Sequence, residues 1–227
     1  MQYITAVASM EQILLQTLKV TCISKKEKIC LVSCSVLKQE LQQLIKQGSL
    51  DVDLVFVSKL FHVDYEQVEN NVRNVLEKTL TRYPGKVILV YGDLCLGQDN
   101  EMMELAEDFD VIKIDALNCI DCQMGGKGIF LDADPEHNVM FMGPGMVGFF
   151  KDMKQKLQKE GVDDAAFAQM FSGMKGIVIL DTCGNAEEIK KEIKESKIGL
   201  TILETRPIGL DGVKKVINEA IDKLNKT

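Results

Sequence analysis

Short apolar runs alternate with amphipathic stretches along most of the chain. Residues 28–33 (Lys-Ile-Cys-Leu-Val-Ser) read as a strand, and residues 36–46 follow with Leu37, Leu41, Leu44 and Ile45 at helical spacing. Residues 54–57 form a second apolar run. A helix is expected over 64–80, where Val68, Val72, Val75, Leu76 and Leu80 share one face and Asp64 with Gln67 forms a cap pair. The turn Tyr83-Pro84-Gly85 leads into the clearest strand, residues 86–91, then a short helix over 101–106 and a strand over 111–114. After a Gly- and Met-rich stretch, strands are expected at 139–142, 176–180 and 200–204. Helices are expected at 149–160, 164–170, 186–196 and 210–224.

This alternation predicts an α/β fold, a mostly parallel Rossmann-like sheet with helices on both faces. Continuous apolar strands suit that arrangement, because helices cover both sides of the sheet. No linker rich in Pro, Gly or Ser interrupts the pattern. The expected organisation is a single α/β domain over residues 28–227, preceded by a helical extension over residues 1–27.

Composition narrows the function classes. The chain has 227 residues, a net charge of −7, 46% hydrophobic residues, 7 Cys, 11 Met and only 2 His. An acidic balance without a basic stripe argues against nucleic-acid binding. No run reaches the roughly 18 apolar residues of a membrane span. The first twenty residues lack a basic region and a cleavage site, so a cytoplasmic protein is expected. In a reducing compartment an odd number of cysteines does not describe a disulfide framework.

The positions of those cysteines carry the functional argument. Cys34, Cys95, the pair Cys119 and Cys122, and Cys183 each follow a predicted strand, and His62 follows another. In a parallel α/β sheet the loops after the strands share one edge, where ligands bind. Cys34, Cys95, Cys119, His62 and Cys122 are therefore the candidate metal ligands. Thiolate sulfur suits zinc, with a four-iron four-sulfur cluster as the rival. Cys30 and Cys22 read instead as packing thiols, a common role for free cysteine. Residues 125–128 (Gly-Gly-Lys-Gly) could present a backbone nest for an anion, and Gly143 and Gly145 precede a helix that could hold a phosphate. Gly125, Gly143 and Gly145 are thus the candidate cofactor-binding glycines. Met140, Met142 and Met146 could line an apolar pocket. Asp93, Asp115 and Asp121 lie on the same expected rim, as ligand-orienting groups, general bases or helix caps. His137 reads as a turn residue.

At these residues the sequence resembles the domain-of-unknown-function family numbered 1638, found in methanogenic archaea and anaerobic bacteria. The resemblance is carried by Cys34 to Glu40-Leu41, by Leu60-Phe61-His62, by Tyr91-Gly92-Asp93-Leu94-Cys95, and by Leu117-Asn118-Cys119-Ile120 followed by Met124-Gly125. It spans roughly residues 28–224. The family's His-Asp pair is Leu117-Asn118 here, and its usual Arg in that segment is missing. Members are often encoded beside corrinoid-dependent methyltransferases of one-carbon metabolism. The resemblance therefore implies a place in corrinoid-dependent methyl transfer: a metal-dependent methyltransferase, or a non-enzymatic module serving a corrinoid protein or methyltransferase partner. A corrinoid is then a further candidate cofactor, although the Asp-x-His-x-x-Gly element of histidine-ligated corrinoid binding is absent.

Overall fold

A computed structural model describes residues 28–60 and 65–226. The predicted extension over residues 1–27 lies outside the described residues. Two all-parallel sheets organise the described residues, with strand orders β2-β1-β3-β4 and β5-β6-β7. The first contains β1 (Ile29–Cys34), β2 (Val52–Val57), β3 (Val87–Val90) and β4 (Ile112–Lys113). The second contains β5 (Val139–Met142), β6 (Gly176–Leu180) and β7 (Ile202–Arg206).

Side chains alternate across the first sheet with the period of two that the pleat imposes. Leu31, Ile88 and Val90 face a core that also holds Leu41 and Leu44 of α1 (Lys38–Lys46) and Val213, Val216 and Ile217 of α9 (Asp211–Leu224). Val32, Leu89 and Tyr91 face the opposite core, with Val68, Val72 and Leu76 of α2 (Tyr65–Arg82) and Met102 and Leu105 of α3 (Glu101–Asp108). Each such side chain, fully buried, contributes about 1.5–3 kcal/mol of transfer free energy. The α9 helix follows the last strand of the second sheet but packs on the first, so the chain crosses back at its end.

The second sheet is covered in the same way. On one face Met140, Met142, Ile177 and Ile179 pack under α6 (Pro144–Lys159), α7 (Asp164–Gln169) and α8 (Ala186–Ser196), with Phe150 and Phe167 filling that core. On the other face Phe141, Val178 and Leu180 meet Ile120 and Met124 of α4 (Cys119–Met124) and Phe130 of α5 (Ile129–Ala133).

The α/β class, the parallel pairing and helices on both faces agree with the sequence reading. The strands, however, divide between two sheets. The pattern suggested one sheet because every apolar run looked alike. β4 keeps only two paired residues, and two short helices occupy the 25-residue stretch before β5, so among the described residues no strand continues the first sheet beyond β4. Both helices escaped the periodicity because neither exceeds two turns. Their boundaries were nevertheless written locally. The Asn118 side chain accepts from Asp121 N–H at the start of α4, and Gly125 ends that helix at φ 102°. α6 starts at Pro144, five residues before the expected position, using the preference of proline for the first helical turn. β7 runs two residues later than expected. It is an edge strand, so Glu204 and Arg206 reach solvent and the apolar run is not continuous. Among the described residues no helix is long and apolar enough to cross a membrane.

Candidate functional site

β1 ends at Cys34, whose sulfur accepts a hydrogen bond from Val36 N–H at 3.5 Å and so caps the 3-10 turn Ser35–Leu37. The loop after β3 forms a second 3-10 turn, Asp93–Cys95. That loop is zipped to the one after β4: Asp93 N–H donates to Ala116 O at 3.0 Å and Leu94 N–H to Leu117 O at 2.8 Å. Gly92 makes the approach feasible, because a Cβ there would stand 2.4 Å from the Asn118 backbone. Cys119, the first residue of α4, is thereby carried to the same place. Cys34, Cys95 and Cys119 together line one cavity of about 20 Å³, closed in by Leu37, Tyr91 and Ile114. That volume accommodates about one water-sized occupant.

The cavity keeps its thiols protonated. Burial pushes Cys34 up to about 12, with the neighbouring Cys95 adding to the effect; the Val36 N–H bond and Lys59 oppose it. Burial likewise pushes Cys95 up to about 11. Cys119 rises well above the ordinary thiol value through burial and then through Cys95 and Cys34. These groups become thiolates only if a cation compensates the charge. None of the described cysteines is in a disulfide.

The second sheet reaches this edge too. Met146, in the first turn of α6, places its Sδ 3.8 Å from Cys119 Sγ. Gly145 packs so closely that a Cβ there would lie 1.8 Å from Val36 O. Lys59, after β2, sends its Nζ to Gly145 O at 3.4 Å and to Asp152 at 3.6 Å. Behind the cavity, Glu40 of α1 is 0% exposed. Its Oε1 accepts from Gln123 Nε2 of α4 at 2.7 Å and from Thr182 Oγ1, just after β6, at 2.9 Å. The C-terminal edges of the two sheets therefore meet, and the thiol-lined cavity sits at their junction.

The remaining sequence candidates are placed as follows. His62 and Cys22 lie outside the described residues. Cys122 is not among the residues lining the cavity; it is 0% exposed in the core between α1, α9 and the first sheet. Cys30 is buried inside β1, as expected of a packing thiol. Cys183 lies near Glu40 and Thr182, pushed up to about 11 by burial. The backbone donors of the 125–128 loop serve the protein itself. Gly125 and Gly126 N–H groups donate to Asp121 O, and Gly128 N–H donates to Asp121 Oδ2 at 2.7 Å. The Asp121 carboxylate also accepts from Leu117 and Phe130 N–H, which makes it the organiser of that loop. Gly143 packs against the Gln123 side chain, where a Cβ would stand 2.4 Å from Nε2. Close packing thus accounts for both Gly143 and Gly145. Met140 and Met142 are buried in the core of the second sheet. Asp93 pairs with Lys113 and, at 2.6 Å, with Lys127. His137 takes a turn conformation at φ 52°.

Among the described residues no group of three or more His, Cys, Asp and Glu side chains is arranged to hold a metal ion. The three cavity thiols share one space without standing at ligand spacing. Sequence reasoning missed Glu40 as a member of this edge. The signal was present: position 40 falls within the apolar stripe of Leu37, Leu41 and Leu44, where a carboxylate is out of place. Gln123 and Thr182 carried no comparable mark.

No curated protein and no solved structure matches the chain. The family model described as "Protein of unknown function (DUF1638)" matches residues 56–217, more than two thirds of the sequence. The match includes Cys95, Cys119, Gln123 and Met146 and begins after Cys34 and Glu40. The chain belongs to this family of proteins of unknown function.

Proposed function

We propose that the protein binds a single soft metal ion, zinc in the first instance, through the thiolates of Cys34, Cys95 and Cys119. The observation that carries the reading is their convergence: three thiols from three separate loops line one cavity of about 20 Å³. An all-sulfur donor set suits zinc. The volume favours one ion over a four-iron cube, whose core needs room for eight atoms. Binding would require these three buried thiols to give up their protons. Apparent affinity therefore rises with pH, by up to about a thousandfold per unit if three protons leave with each ion bound.

Cys34, Cys95 and Cys119 would hold zinc with room left for an exogenous ligand, and the ion would supply Lewis-acid chemistry there. A thiol that accepts a methyl group is the substrate class such an ion activates. This is the chemistry called for by a place beside corrinoid-dependent methyl transfer, with a corrinoid protein or its methyltransferase as partner. Elemental analysis of anaerobically purified protein tests the reading. One zinc per chain is expected, falling to a small fraction in Cys34→Ser, Cys95→Ser and Cys119→Ser. Metal content unchanged in all three variants would refute it.

A further inference from the structure

Glu40 presents an imbalance that a single proton resolves. Its Oε1 has two donors, Gln123 Nε2 and Thr182 Oγ1, yet its buried Oε2 has none. The buried Oε1 of Gln123 also has none. Two acceptors thus lack donors on the same pair of side chains, and buried polar atoms rarely stay unpaired. A carboxylic acid offers one O–H donor in addition to its acceptor capacity. An acid facing an amide can exchange two hydrogen bonds, one in each direction.

We propose that Glu40 is a neutral carboxylic acid that donates its Oε2–H to Gln123 Oε1, and that the resulting acid–amide pair, with Thr182, is a proton-dependent latch between the two sheets. Glu40 stands on α1 of the first sheet, Thr182 follows β6 of the second, and Gln123 belongs to α4 between them. Loss of the proton leaves a charge in the junction with two acceptors facing each other.

Among the described residues the surroundings supply no compensating cation. From α4 the thiols of Cys119 and Cys122 face Glu40, and from the loop after β6 the thiol of Cys183 does. Asp181 in that loop accepts from Gly184 and Asn185 N–H groups. α9 presents Val213, Val216 and Ile217 to this core, while its Lys215 Nζ donates to Gly125 O. Gln39, beside Glu40 on α1, accepts from Asn185. α6 meets the junction through Gly145 and Met146, and its Asp152 pairs with Lys59. Among the described residues no ion pair includes Glu40. Burial accordingly raises its carboxyl above the ordinary value of 4.5, and the bonds from its own backbone, Thr182 and Gln123 only partly oppose this.

The latch is independent of metal and is tested on the metal-free full chain. Infrared difference spectroscopy at pH 7 should show the C=O stretch of a protonated carboxylic acid, lost in Glu40→Gln. Gln at position 40 can still exchange two bonds with Gln123, so that variant should fold and keep the latch at every pH. The unfolding constant of the wild type relative to Glu40→Gln should rise by up to about tenfold per pH unit above the ordinary glutamate value, until the folded carboxyl titrates. If Glu40→Gln fails to fold, the infrared band of the wild type, titrated from pH 5 to 9, decides alone. Absence of that band at pH 7, or parallel pH profiles for the two proteins, would overturn the proposal.

Discussion

Cys119 Sγ and Met146 Sδ touch at 3.8 Å, joining the loop after β4 to the first turn of α6. This sulfur pair belongs to both halves of the molecule. Met146 packs at the same time against the α2/α3 core of the first sheet and both cores of the second. Met146→Ala should therefore lower stability by about 2 kcal/mol, since it removes a partly buried thioether from a three-way contact. It should also open the way to Cys119. Alkylation of native protein, followed by mass spectrometry, should show Cys119 reacting several-fold faster than in the wild type, with Cys30 unchanged. Equal rates would mean that Met146 does not shield the thiol.

The close approach of Gly145 to Val36 sets the seam between the halves. A Cβ at 1.8 Å from a backbone oxygen cannot be absorbed by a rotamer change. Gly145→Ala should cost about 3 kcal/mol or more, or prevent folding. Gly173→Ala is the control, since nothing lies within 4 Å of the added carbon, and it should change stability by less than about 1 kcal/mol. Denaturant unfolding of both variants checks the contrast.

Acid sensitivity should be traceable to Asp93. Burial disfavours its charge, but hydrogen bonds and the charges of Lys113 and Lys127 outweigh this and hold its carboxyl below the usual 3.8. A carboxyl whose folded value is depressed stabilises the fold above its unfolded value, and that contribution disappears as pH falls through the folded one. The advantage of wild type over Asp93→Asn should thus be steady at about 2–3 kcal/mol from pH 5 to 7 and shrink below about pH 4. Lys113, with a side chain only 5% exposed, bears most of the loss when its partner is removed. Thermal unfolding midpoints of the two proteins across this range make the comparison.

The cysteines were legible because the α/β pattern was. Residues 87–91 and 176–180 are continuous runs without a polar side chain buried in their middle, so the positions of Cys95 and Cys183 beyond them follow directly, and the edge that Cys34, Cys95 and Cys119 share follows from parallel pairing. The division into two sheets was not legible. Nothing in the composition of residues 111–114 marks a strand that stops after two pairs, and α4 and α5 are too short to impose a period. Cys122 falls away from the cavity for a related reason: three residues after Cys119 on a helix it turns toward the α9 core, a difference that a loop reading of Cys119 and Cys122 erases. The Gly125–Gly128 segment looked like an anion nest because a string of glycines does not reveal that a buried aspartate two turns away already accepts its N–H groups.

The reading of the cavity as a metal centre meets its most direct test in cobalt(II) titration of the reduced protein under argon. Thiolate-to-cobalt charge transfer counts the sulfur ligands, and competition with zinc orders the affinities. The account predicts saturation at one cobalt per chain, an absorption intensity corresponding to three thiolates, displacement by zinc, and, in each single Cys→Ser variant at positions 34, 95 and 119, much weaker binding whose band, when driven to saturation with excess cobalt, has lost about one third of that intensity. Saturating cobalt without a charge-transfer band, or a band untouched by those substitutions, would contradict it.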